Sequence, residues 1–308
     1  MSGRVEELLD HGRALEAEGE LDAAGAVYRD VLDMAGLSDT QRADALHGLG
    51  LVARLQGRYA EAEGLLRRGI AVAEDGLGRD APETAYLLNE LAVLFKYAGR
   101  FDEAEALYRR ALAALERADD PDPADLAGLC HNLGGLEHAR GDYARAAGYA
   151  RRSVELRVRA RGEDHPDVAA DRAALAAILD ALGEDAEAEA LFRAALGAFD
   201  RAGNEPEAAV TRCGLAALLH SRGDLDGAEA LYREALAVRV RVCGADHPDL
   251  GVVLHNLALL CEEGGRAAEA ARLYGWGVRV LEPAVEAGHP ALAACRGGLA
   301  ATGGASPG

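Results

Sequence analysis

The chain has 308 residues and a formal net charge of −19; half of it is hydrophobic and only 5% aromatic. So acidic a balance repels phosphate backbones and argues against a general role on nucleic acid or anionic membranes. The scarcity of aromatic residues argues against the bulky cores of sandwiches and barrels, whereas the dominance of Ala, Leu, Glu and Arg suits a chain built of helices.

At the start, Met1 to Glu7 include no apolar stretch, and no later run approaches membrane-spanning length. Five cysteines, Cys130, Cys213, Cys243, Cys261 and Cys295, are odd in number and lack CxxC spacing. The expectation is a reduced, cytoplasmic protein.

From there the chain repeats. A glycine followed by a short helix start and an aromatic, clearest at Gly99-Arg100-Phe101 through Tyr108, recurs at Gly19, Gly57, Gly99, Gly141, Gly183, Gly223 and Gly265. The intervals are 38, 42, 42, 42, 40 and 42 residues, which predicts seven copies of one supersecondary unit. In each copy the glycine ends one helix and supplies the turn into the next. Five residues on lies a small residue: Ala24, Ala62, Ala104, Ala146, Ala188, Ala228 and Ala270. Twelve residues before each of these stands another: Gly12, Gly50, Ala92, Gly134, Ala176, Ala216 and Ala258. Small residues on facing helices predict a close antiparallel pair. Tyr28, Leu66, Tyr108, Phe192, Tyr232 and Tyr274 fill the layer beside the seam, and Ala150 in pair four, like Leu66 in pair two, predicts looser packing there. Glu63, Glu105, Glu189 and Glu229 each precede an arginine by four residues, predicting intrahelical ion pairs on a solvated face.

The linkers repeat too. Asp164-His165-Pro166-Asp167 and Asp246-His247-Pro248-Asp249 are identical. An Asp beside a His invites an acid–base reading, but proline in a first helical turn followed by an acid is the chemistry of a helix start. No phosphate-cradling glycine loop, GxSxG elbow or HExxH helix occurs. Cys130 and His131 are adjacent on a helix and point about 100° apart, a poor chelate. The expectation is no catalytic residue, no metal and no cofactor.

These motifs resemble the tetratricopeptide repeat, in the long 42-residue variety of kinesin light chains and their bacterial relatives. Leu88-Asn89-Glu90-Leu91-Ala92, His255-Asn256-Leu257-Ala258 and Ala228 to Leu236 carry the resemblance over about residues 4–302. It implies an all-α fold: a right-handed superhelical solenoid of seven helix pairs over 1–288, a capping helix over 289–302 and a flexible tail over 303–308. Trp276 is expected to pack under that cap. The resemblance also implies a protein-interaction scaffold that binds a partner segment in the groove lined by the first helix of each pair. The alternative is a peptide- or metabolite-sensing regulator that switches a partner in trans. The carboxylate clamp of chaperone-binding members is missing: its positions hold Leu9, His47, Asn89, His131, Ala173, Cys213 and His255.

The candidate groove residues are His47, Leu51, Arg54, Tyr86, Asn89, Val93, Lys96, Tyr97, His131, Asn132, His138 and Asn256. Arg54, Lys96 and His138 stand one repeat apart and predict a ladder, answered by Asp180, His220 and Glu262 further on. Tyr86 and Tyr97 offer anchors, Asn89 an amide, and Arg54 and Lys96 two positive charges. The expected partner is a protein or peptide with an acidic or C-terminal carboxylate next to an apolar residue.

Overall fold

A computed structural model of the chain describes residues 2–284 and 289–303, so most of the expected tail lies outside the described residues. Fifteen α-helices and no strand occur among the described residues. They are α1 (Ser2–Ala17), α2 (Leu21–Leu32), α3 (Asp39–Leu55), α4 (Tyr59–Gly76), α5 (Pro82–Tyr97), α6 (Phe101–Glu116), α7 (Pro123–Arg140), α8 (Tyr143–Arg161), α9 (Pro166–Leu182), α10 (Asp185–Ala202), α11 (Glu205–Ser221), α12 (Leu225–Cys243), α13 (Leu250–Glu263), α14 (Ala267–Leu281) and α15 (Pro290–Gly303). The chain forms two compact units, Met1–Ala160 and Arg161–Gly308. The first stacks helix pairs one to four; the second stacks pairs five to seven, followed by α15.

All seven frame glycines have φ between 72° and 81°, the left-handed region closed to most side chains. The amide after each bonds the carbonyl five residues before it: Arg100 to Phe95 at 2.8 Å in pair three, Asp224 to Leu219 at 3.0 Å in pair six. This 6→1 closure satisfies a terminal carbonyl and reverses the chain within two residues.

The seam alanines Ala24, Ala62, Ala104, Ala146, Ala188, Ala228 and Ala270 are all fully buried. Tyr28, Tyr108, Tyr232 and Tyr274 are buried beside them. A Cβ on Gly50 would come within 2.7 Å of Leu66, and one on Gly12 within 2.7 Å of Tyr28. Pair four leaves more room opposite Ala150: a Cβ on Gly134 would make only ordinary contact, 3.4 Å from the Ala146 carbonyl, and Tyr149 packs on the same core.

Rings from one pair also reach the next. A Cβ on Gly48 would strike the Tyr28 ring at 2.4 Å, one on Gly214 the Phe192 ring at 2.8 Å, and one on Gly298 of α15 the Tyr274 ring at 2.3 Å. Trp276 is placed elsewhere than expected: its indole donates to the Ala245 carbonyl at 2.8 Å, in the turn before α13. Tyr274 and Gly277 of α14 meet α15 instead, Gly277 beside Cys295.

The identical linkers differ in use. His165 Nδ1 accepts the Asp167 amide at 3.1 Å and α9 begins at Pro166, as expected of a helix start. His247 Nδ1 likewise accepts the Asp249 amide at 3.3 Å, but α13 begins only at Leu250. The reason is local: Leu250 and Gly251 bond three residues back, to His247 and Pro248, which makes a tight turn of Pro248-Asp249.

The expected intrahelical ion pairs are present, and each glutamate does more. Glu63 takes Arg67 and, from the following turn, Arg100, both at 2.8 Å. Glu105 takes Arg109 at 2.6 Å, Arg145 at 2.7 Å, and Arg140. Glu189 takes Arg193 and Arg222; Glu229 takes Arg233 at 2.7 Å and Arg266 at 2.6 Å. Every one of these carboxylates therefore clamps its own pair to the next. Arg100 also stacks on the Phe95 ring, 3.6 Å from its centroid. Burial pushes the Glu105 carboxyl up, but Arg140, Arg145 and Arg109 outweigh it and hold the group at about 2. For Glu229 the Arg266 bond dominates, with the same result of about 2.

Two predictions follow from this packing. Ala104→Leu or Ala228→Leu overpacks the seam and lowers unfolding stability by about 1–3 kcal/mol; an unchanged denaturation midpoint would contradict the assignment. The clamps also set a pH dependence. An unfolded glutamate titrates near about 4.3, above the folded value of about 2. The stability they contribute is complete above the unfolded value and drains away as pH falls towards the folded one. Glu105→Gln and Glu229→Gln should flatten the fall in melting temperature between about pH 5 and 2; an unaltered slope would show that the clamps contribute nothing.

Candidate functional site

The first helices carry the expected groove residues, and the structure gathers most of them in the first unit. Three meet in a cleft of about 260 Å³: Tyr86, Asn89 and Asn132, together with Asp125 and Arg157. Asn132 Nδ2 donates to Asn89 Oδ1 at 2.9 Å, which orients the Asn89 amide. The Tyr86 hydroxyl donates to the Asp125 carboxylate, and burial together with that acceptor raises its pKa.

A second cluster surrounds Tyr97, which is 64% exposed. Arg54 and Lys96 approach its ring, at 5.8 Å and 5.6 Å from the centroid. The two cations are not equivalent. Arg54 is ion-paired with Glu90, whose side chain is buried, so its charge is spent inside the protein. Lys96 is half-buried without a carboxylate in ion-pair range among the described residues. Burial, then the charge of Arg54, lowers its pKa. The expectation of two open positive charges is thereby corrected: Lys96 alone is open. Glu90 was the missed residue, and its signal was a charge at a position that holds Asn132 and Asn256 in other copies.

The remaining candidates spread out. Burial lowers the His47 pKa, against the pull of Glu90. Leu51 and Val93 are half-buried. His131 is exposed, and His138 meets Tyr143 edge-to-face at 5.3 Å. Of the expected ladder, Arg54 and Lys96 meet at Tyr97, whereas His138 sits against Tyr143. Asn256 belongs to the second unit, lining a cleft with His220, Tyr232 and Glu263; His220 Nε2 lies 2.9 Å from Glu263 there. No group of three or more His, Cys, Asp or Glu able to hold a metal occurs among the described residues.

The sequence profile described as tetratricopeptide repeat matches residues 41–117, 125–201 and 207–282. The chain is a tetratricopeptide-repeat protein. That family is generally a non-enzymatic scaffold whose members mediate protein–protein interaction. No curated protein matches the chain. Among solved structures, this tetratricopeptide-repeat chain is similar to BtubC (BKLC) from P. vanneervenii at 26% identity and TM-score 0.61, over 77% of this chain and 93% of that one. It is similar to nearly identical TPR-like repeats assigned to a kinesin light chain of Podosopora anserina, at 20% identity and TM-score 0.57, over 68% and 99% of the two chains. It is also similar to Bacillus thuringiensis PlcR, solved with the peptide PapR7 and DNA, at 16% identity and TM-score 0.55, over 65% and 71%. The last two likenesses speak for the fold alone.

The Arg54–Glu90 pair yields a stability prediction. Arg54→Ala strands a buried carboxylate and should cost about 3 kcal/mol in chemical denaturation, while Glu90→Gln, which keeps an acceptor, should cost less. An Arg54→Ala midpoint equal to wild type would mean that the pair is solvated and Arg54 is open after all.

Proposed function

We propose that this protein is an interaction scaffold that takes up a partner polypeptide segment on the first-helix face of pairs two to four. The observation that carries this is the division of labour between the helices. Arg67, Arg109, Arg193 and Arg233 of the second helices are engaged by the clamps, whereas the first helices of the first unit present Tyr97, the oriented Asn89 amide and Lys96, the last without a carboxylate partner among the described residues. A bound segment needs an apolar anchor, an amide for its unpaired backbone and a charge to fix direction.

Lys96 sits half-buried beside Arg54, so an anionic group on the partner relieves an unfavourable charge. This supports a segment with an acidic or C-terminal carboxylate next to an apolar residue. A peptide fits the fold shared with PlcR, a protein solved with a peptide bound; a regulator that reads a small peptide is the companion reading. No disulfide joins the five cysteines among the described residues, which suits a reducing cytoplasm. No helix among the described residues is long and apolar enough to cross a membrane.

The test is calorimetric titration of the recovered partner against variants. Asn89→Ala and Lys96→Glu should each weaken binding by about 1–3 kcal/mol without loss of helicity, the reversal losing more at low salt than at high. Unchanged binding by both would remove the site from this face.

A further inference from the structure

The frame glycines allow each unit's clefts to be superposed by counting. Relative to its own glycine, Tyr86 corresponds to Val210, Asn89 to Cys213, Leu115 to Arg239 and Asp125 to Asp249. The cleft between the first helices of pairs three and four thus has a counterpart between pairs six and seven. In the first unit it measures about 260 Å³, with Tyr86 bonded across it to Asp125. In the second it opens to about 530 Å³, extends to His289 and Ala291, and is not bridged, since Val210 is too short to cross and offers no hydroxyl.

The walls of the larger cleft are aliphatic: Val210 and Val252 are exposed, at 52% and 59%, and Leu281 is buried behind them. Beside Cys213 and His289, it is lined by two charged groups, Arg239 and Asp249. Arg239 donates from Nη1 to the Asp249 carbonyl at 3.2 Å, its Nε is buried without an acceptor, and no carboxylate pairs with it among the described residues. The clamp arginines such as Arg233 and Arg266, by contrast, are matched with acids. Asp249, freed of the tyrosine its counterpart holds, keeps among the described residues His247, 3.7 Å from its carboxylate. An uncompensated cation among valines asks for an anion attached to an aliphatic group. The adjacent Asp249 asks for a donor on the same ligand.

We propose that this cleft is a seat for the carboxyl terminus of a partner polypeptide whose last side chain is aliphatic: the terminal carboxylate meets Arg239, the side chain lies between Val210 and Val252, and backbone N–H groups reach Asp249. A fatty acid supplies the first two contacts and not the third, leaving Asp249 facing hydrocarbon. The seat takes the same carboxylate-and-apolar chemistry as the function proposed above but at different residues in the second unit, and its failure leaves the Asn89 and Lys96 test standing.

The probe is a fluorescein-labelled Gly-Ser-Gly-Ser-Val-Leu peptide with a free carboxyl terminus, titrated with the full chain by fluorescence anisotropy beside its C-terminal amide. The free acid should saturate and the amide bind about tenfold or more weakly, the loss of one charged hydrogen bond. Arg239→Gln should erase that preference, Arg239→Lys retain part of it, and Val252→Asp weaken both peptides. Decanoate should not displace the acid. Equal binding of acid and amide, no saturation by about 1 mM protein, or a preference that survives Arg239→Gln overturns the proposal. Displacement by decanoate at matching concentration overturns the polypeptide source and makes the seat one for free aliphatic acids.

Discussion

No helix pair in this protein can bury its apolar side alone, and everything else in the structure answers that deficit. The small-residue seam brings the two helices of a pair together, but it leaves the rings of Tyr28, Phe192 and Tyr274 projecting beyond it. They are covered only when Gly48, Gly214 and Gly298 of the next first helix come against them. Neighbouring pairs must therefore stack, with stability that accumulates pair by pair.

The polar side of the second helices obeys the same demand. Glu63, Glu105, Glu189 and Glu229 each join an arginine of their own helix to one from the following turn. Side chains locked in this way are unavailable to a partner, so variation is displaced onto the first helices. There one position is Tyr86 in pair three and Val210 in pair six, and the same cleft is bridged in one unit and open in the other. Function in such a scaffold resides in what each copy places at a fixed address.

Much of this was legible in the sequence because it depends on spacing. The seven glycines mark every pair, and positions five residues after and seven before them give the buried seam. What spacing cannot show is which side chain crosses to the next pair. Glu63 and Arg67 are visible as neighbours four apart, whereas Arg100 is 37 residues from Glu63 and reaches it only through stacking. The same blindness hid Glu90 behind Arg54, and it presented two identical Asp-His-Pro-Asp linkers whose helices start at different places. Trp276 went to the Ala245 carbonyl because an indole N–H needs an acceptor, a requirement no periodicity encodes.

The central claim is that partner polypeptides meet the face lined by the first helices and not the clamped face of the second helices. It is tested most directly by placing a photo-crosslinking benzophenone amino acid, one position at a time, at Tyr97 and Val252 on first helices and at Arg109 and Arg193 on second helices, then irradiating cells that express the full chain. The account predicts a discrete crosslinked polypeptide from Tyr97 or Val252 and none from Arg109 or Arg193. Crosslinks confined to the second-helix positions would contradict it.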